Sequence, residues 1–170
     1  MPRMKRGLIS VLTLTLLVGI VAYRQVAVTA SEADPSTWGA ADPTWSPDGK
    51  QIAFTLFGSI WVVDAEGGDA RQVTASEGYH AHPAWSPKGD FIAFIQGSAP
   101  AGRLPNISGR VKLVQVSNGV ERDLATPFPT AGTIAWAPDG ERVVVGLMIP
   151  NQGSFLHEIA IRGGSARTLS

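Results

Sequence analysis

From residue 41 onward, short apolar runs alternate with breaks rich in Gly, Pro and Asp. The runs Gln51-Ile52-Ala53-Phe54-Thr55, Phe91-Ile92-Ala93-Phe94-Ile95 and Arg142-Val143-Val144-Val145-Gly146 are too short for buried helices. Bounded by turn residues, they predict strands. A second set follows at Ser59–Asp64, Val111–Val116 and Leu156–Ile161, and each is closed by Gly67-Gly68, Asn118-Gly119 or Gly163-Gly164. A third, edge-like set is Ala70–Thr74, Glu121–Ala125 and Ala166–Ser170, with Arg71, Arg122 and Arg167 recurring. The near-continuous apolar character of the middle runs fits strands covered on both faces. The expected class is all-β.

A fourth element makes the pattern a repeat. Pro43-Thr44-Trp45-Ser46-Pro47-Asp48-Gly49-Lys50 returns as Pro83-Ala84-Trp85-Ser86-Pro87-Lys88-Gly89-Asp90 and as Ile134-Ala135-Trp136-Ala137-Pro138-Asp139-Gly140-Glu141. In each copy Pro fixes φ and the following Gly supplies a positive φ, so a Trp-bearing strand turns tightly into the next. Trp45 and Trp85 lie 40 residues apart and Trp85 and Trp136 lie 51 apart. Four strands in about 40 residues is the spacing of a propeller blade. Blades are expected at about 42–81, 82–131 and 132–170, and the extra residues of the second fall in the loop Gln96 to Gly109. A blade hides both faces only between two neighbours, and rings hold about four to eight blades. Three units therefore predict an N-terminal portion of a longer protein, with self-association of the open faces into a six-blade ring as the alternative.

The first thirty residues differ in kind. Met1 to Gly7 is basic, and Leu8 to Ala22 is free of charge. Val28-Thr29-Ala30 then places small residues before Ser31. This is the layout of a secretory signal peptide. At ~1.5 Å per residue the apolar run spans about 22 Å as a helix, short of the ~30 Å hydrocarbon layer. Residues 1–30 are thus a cleaved signal or, with Arg24 inside the gap before Ala30, an uncleaved membrane anchor. Residues 31–41 form a linker. Either way the body is exported to the periplasm or extracellular space.

Charge and composition sharpen this. The chain is formally neutral, but residues 1–30 hold Arg3, Lys5, Arg6 and Arg24 and no acid, so the remainder has four more acidic than basic residues. An acidic body without a basic stripe predicts no nucleic-acid partner. The absence of cysteine excludes disulfides, thiolate metal sites, a Cys nucleophile and a Cys-linked lipid.

The Trp-Ser-Pro-Asp-Gly-Lys core followed by Ile-Ala-Phe resembles the TolB-like β-propeller repeat, a relative of the WD repeat, from Asp42 to the C-terminus. The resemblance implies a propeller, not one function. Such repeats occur in TolB, in tricorn-type proteases, and ahead of prolyl-oligopeptidase-like and amidohydrolase domains. With only Ser31 to Ala41 before the first repeat, the arrangement is more similar to the peptidase- or amidohydrolase-associated kind than to TolB with its preceding α/β domain.

Candidate chemistry is sparse. His80-Ala81-His82 could share a metal, but His157 is the only other histidine and no four-ligand set can be assembled. The pair is assigned to the loop at the start of the second blade. Ser46 and Ser86 lie outside any nucleophile elbow, and Asp48, Lys88 and Asp139 occupy one turn position. Asp42, Asp64 and Glu66 could line a loop face without forming a tuned carboxylate pair. Trp45, Trp85 and Trp136 are expected in like, inter-blade surroundings, with Trp61 in the blade core and Trp38 outside the register. Asn106-Ile107-Ser108 is a loop. No catalytic, cofactor-binding or metal-binding residues and no cofactor are therefore predicted.

The expected function is a non-catalytic binding or scaffold module, with Ser76 to His82 and Gln96 to Gly109 as its binding loops. The alternative is a propeller that gates substrate for a periplasmic hydrolase domain outside this chain.

Overall fold

The computed structural model describes residues 39–98, 107–126, 129–149, 151–163 and 166–169. The signal or anchor predicted at 1–30 lies outside them, as do most of the linker, Trp38 and residues 99–106 of the insertion. Among the described residues there is no helix long and apolar enough to cross a membrane, and every regular element is a strand.

β1 (Ala41–Trp45), β2 (Gln51–Leu56), β3 (Ser59–Asp64) and β4 (Arg71–Gln72) form one antiparallel sheet in chain order. β5 (Tyr79–Trp85), β6 (Phe91–Gly97), β7 (Ser108–Gln115) and β8 (Glu121–Asp123) repeat it. So do β9 (Thr130–Trp136), β10 (Arg142–Ile149), β11 (Gly153–Ala160) and β12 (Arg167–Thr168). These are the three predicted blades. The start of β7 also pairs with β9 through Ser108↔Ala131 and Gly109↔Thr130, which joins the second and third blades into one sheet. The backbones of β1, β5 and β9 contact one another in succession, whereas those of β4, β8 and β12 lie against their own blade only. Each blade is thus a wedge, narrow at its first strand and wide at its last.

The repeated turn forms for the reason the sequence suggests. Gly49, Gly89 and Gly140 sit at φ of 71, 74 and 71°, where residues with a Cβ are disfavoured. Ser46 Oγ accepts from the Gln51 amide at 2.9 Å and donates to Asp48 at 2.7 Å. In the second blade Ser86 Oγ accepts from the Phe91 amide at 3.0 Å and donates to Asp90 at 2.6 Å. The carboxylate has moved two positions along while the serine keeps its bonds.

Successive side chains of a strand point to opposite faces. Ile92, Phe94, Val114 and Trp85 therefore meet Ala53, Ile60, Val62 and Val73 of the first blade. Ala93, Ile95, Val111 and Leu113 meet Ile134, Val143, Val145 and Ile159 of the third. Burying one such Ile or Phe stabilises by ~1.5–3 kcal/mol. We call the face toward the preceding blade leading and the other trailing.

The tryptophans share register but not surroundings. Trp45, Trp85 and Trp136 pair with Ile52, Ile92 and Val143 at equivalent rungs. Trp85 is buried in the first seam, and Trp136 Nε1 donates to the Ala84 carbonyl across the second at 2.9 Å. Trp45 is exposed, because no described blade precedes it. The expectation of like environments thus holds for two of the three.

Candidate ligand-binding cleft and the polar network beneath it

The two loops predicted to bind converge. A cleft of ≈ 650 Å³ opens at the blade end carrying the connection from β4 to β5 and the hairpin from β6 to β7. Glu77 and Gly78 come from the first segment, and Gln96, Gly97 and Ser98 with Ser108, Gly109 and Arg110 come from the insertion hairpin. Thr126 and Pro129, from the link between the second and third blades, complete the wall. No aromatic or large aliphatic side chain lines it among the described residues. Gly97 and Gly109 face each other across β6 and β7. A Cβ on Gly109 would lie 1.9 Å from the Gln96 carbonyl oxygen. The hairpin can close only with glycine there.

Beneath the cleft, Ser76 is the hub of a network. Its hydroxyl donates to Glu121 Oε2 at 2.5 Å and accepts from Gln96 Nε2 at 3.1 Å and Lys112 Nζ at 3.3 Å. Glu121 Oε1 accepts from the Ala75 and Ser76 amides at 2.7 and 3.0 Å, and Lys112 Nζ lies 3.2 Å from Oε2. Desolvation pushes the Glu121 carboxyl up, but the bonds from Ser76 Oγ, the two amides and Lys112 together outweigh it and hold it at about 2. Gln96 also donates to the Glu77 carbonyl at 2.5 Å, so the cleft wall is tied to the network.

His80 closes the other side. The Thr74 hydroxyl oxygen accepts from the Ile60 amide at 2.9 Å and is hydrogen-bonded to His80 Nδ1 at 2.8 Å. The other ring nitrogen, Nε2, lies 3.2 Å from Ser76 Oγ. Burial lowers the His80 pKa, Glu121 and the Glu77 backbone oppose that shift, and Lys112 adds to it. The cluster is a clamp: blade two grips the strand-to-strand link that enters it.

His80 and His82 lie within β5, not in a loop, because Tyr79, His80 and Ala81 pair with Gly97, Gln96 and Ile95. They do not converge on a common ligand position. His80 is buried against Phe94 edge-to-face, while His82 Nδ1 lies 3.2 Å from Asp42 of the first blade. Among the described residues no three His, Asp or Glu side chains could hold a metal. Asp42 and His82 occupy equivalent bulges of β1 and β5 at φ of 52 and 54°. The bond from His82 and its charge lower the Asp42 pKa against desolvation. Asp64 accepts from Gln51 Nε2 and Glu66 is exposed in the next turn, so neither joins the cleft. Asp48 and Asp139 accept from the Lys50 and Glu141 amides, which is turn chemistry. Ile107 is buried and Ser108 is exposed beside the cleft; Asn106 lies outside the described residues.

Glu121 and Lys112 escape a reading tuned to repetition, although both break it. Ala70 and Ala166 stand where Glu121 does, and Trp61 and His157 stand where Lys112 does.

No family model matches the chain, and no curated protein matches it. Solved structures do. TolB from Acinetobacter baumannii matches at 20% identity and TM-score 0.62 over 77% of this chain and 32% of its own. An oligogalacturonate lyase in complex with manganese matches at 17% and 0.59, over 78% and 36%. A chain of a mitotic checkpoint complex matches at 18% and 0.55, over 76% and 36%. At these identities the likeness shows the fold: an all-β partial propeller of three four-stranded blades. The chain spans about a third of the length of each of these solved chains.

Proposed function

We propose that this chain is an exported β-propeller module that contributes binding, not chemistry, through the cleft at the insertion end. One observation supports this above others. The cleft is assembled around the lengthened β6–β7 hairpin, where the second blade departs from the common pattern, with the link 75–78 beside it. Residues that only build blades repeat; residues that select a partner need not. The lining of hydroxyls, an amide, backbone glycines and the oppositely charged Glu77 and Arg110 suits a hydrated polar partner, a protein loop or a polar small ligand, better than an apolar one. Export rests on the leader pattern of residues 1–30, and the acidic body argues against nucleic acid.

Site-specific photocrosslinking in the exporting cell tests this. A photoreactive residue at Ser98 or Arg110, on the cleft, is expected to trap a discrete adduct. The same residue at Asp48 or Lys50, at the opposite blade end, is expected to trap none. Equal capture at both ends, or none at the cleft, would overturn the assignment.

A further inference from the structure

Arg110 is the one described arginine left without a partner. Arg71 donates to the Val116 carbonyl and Arg122 lies over the Phe91 ring. Arg142 and Arg167 pair with Glu158, and Arg162 pairs with Glu141. Arg110 has no hydrogen-bond, ion-pair or ring partner among the described residues, and it is exposed on the wall of the cleft. Glu77, exposed on the same cleft, has no partner for its carboxylate either, and no ion pair joins the two.

The main chain holds both charges in place. Arg110 stands opposite Gln96 across β6 and β7. Gln96 Nε2 donates to the Glu77 carbonyl at 2.5 Å and to Ser76 Oγ at 3.1 Å, so one amide ties the Glu77 segment to the rung that carries Arg110. Gly78 tightens the join, since a Cβ there would lie 3.1 Å from the Gly97 carbonyl oxygen. The charge at 110 also belongs to this blade alone. The equivalent rungs are Leu56↔Ser59 in blade one and Leu147↔Phe155 in blade three. A guanidinium that bonds nothing inside the molecule keeps all its donors for a ligand.

Resting on the reading that this cleft is the binding site, we propose that its ligand is a dipolar peptide segment. An acidic side chain of the segment sits on Arg110 and a basic one on Glu77. A guanidinium grips a carboxylate through two parallel N–H···O bonds. A phosphate would meet the Glu77 carboxylate and find no second free cation, since Lys112 is neutralised by Glu121 and Asp123 at 3.2 and 3.7 Å. A nucleobase would find no ring to stack on among the described lining residues. A peptide uses the remaining lining. Gly97 and Gly109 present bare main chain, and the Ser98, Ser108 and Thr126 hydroxyls donate to its carbonyls or accept from its amides. The volume of ≈ 650 Å³ lies in the range of sites that enclose a ligand of a few residues' size. Closure of Glu77 onto Arg110 as an internal ion pair is the competing arrangement.

The test uses the full chain, purified in a mild detergent that accommodates its apolar leader, and fluorescence anisotropy of dye-labelled, end-blocked glycine peptides. Each probe carries one Asp and one Lys, adjacent or separated by one or two glycines; control probes replace Asp with Asn or Lys with Gln. At least one spacing is expected to bind saturably and to lose at least ~10-fold in affinity when its Asp becomes Asn. Arg110→Gln is expected to reproduce that loss and to make the Asp and Asn probes equal. Glu77→Gln is expected to make the Lys and Gln probes equal. Both side chains are exposed and unpaired, so the melting temperature of either variant stays that of the parent. No saturable binding by any probe would overturn the proposal, as would an unchanged affinity for Arg110→Gln. A fall in melting temperature shared by the two variants would overturn it in favour of the internal ion pair. The cleft assignment is judged separately. A discrete adduct from the photoreactive residue at Ser98, with no probe bound, sinks the dipolar ligand alone, whereas absence of both sinks the cleft reading as well.

Discussion

Blade two and blade one carry almost the same residues at equivalent rungs, yet they are stabilised differently. Phe94 and Phe54 follow Trp85 and Trp45 by nine residues. Phe94 is wholly buried between two blades, whereas Phe54 lies half-buried on a face without a described neighbour. The same side chain is core in one place and surface in the other. What decides is the neighbouring sheet, because a strand buries its two faces only against partners. Tertiary context sets the energetic value of a repeat residue, and composition does not.

That contrast can be broken by matched substitutions. Phe94→Ala should cost ~3–5 kcal/mol, as deletion of a buried aromatic does, whereas Phe54→Ala should cost about half as much or less. Urea unfolding of both variants decides; equal losses would mean blade one is covered in solution. Next in size, Glu121→Ala removes the clamp that only blade two has and leaves the nearly buried Lys112 short of its main partner. A loss of ~2–3 kcal/mol is expected. Asp139→Ala, in the exposed turn of blade three, should change stability far less. If the two losses match, the clamp is not special.

Acid should act through the same blade. Glu121 titrates at about 2 in the folded chain, against an ordinary value of 4.5. Its contribution is therefore complete above pH ~5 and is lost as the pH falls toward ~2. After allowance for solvent screening, the loss amounts to ~2 kcal/mol at most. His80 shifts downward from 6.5, so below that pH the unfolded chain takes up a proton that the folded chain resists, and stability falls in the same direction. Thermal melts of Glu121→Gln between pH 7 and 3 should show a flatter profile than the parent chain. The smallest effect is at the hairpin tip of blade one, where Phe57 sits at φ 51° while blade three places Asn151 at φ 63°. Phe57→Asn should raise stability by ~0.5–1 kcal/mol, since asparagine tolerates that conformation. No gain in melting temperature would show that the phenyl ring packs on something in solution.

Much of this architecture is legible in the residues. Apolar runs, Pro-Asp-Gly turns and the recurring Trp locate the strands, because each is a local signal. What escapes is what depends on another blade. β5 begins at Tyr79 and β9 at Thr130, a few residues before the blade starts read near 82 and 132. Those strand ends are recruited by pairing with the lengthened β6–β7 hairpin, not by their own propensity. His80 reads as a loop residue for the same reason. The cleft was half visible: both loops could be named, but their meeting, and the roles of Glu121 and Lys112, arise from contacts 36 to 46 residues apart.

The main-chain bridge between β7 and β9 has a mechanical consequence. Blades two and three share a continuous hydrogen-bonded sheet, and Glu121 fastens the incoming link at Ala75 and Ser76 to that same body. Every wall of the cleft therefore hangs on one rigid frame, while blade one is attached by side-chain packing and a few bonds. Opening of the fold is expected to begin at that joint, with the mouth of the cleft keeping its dimensions.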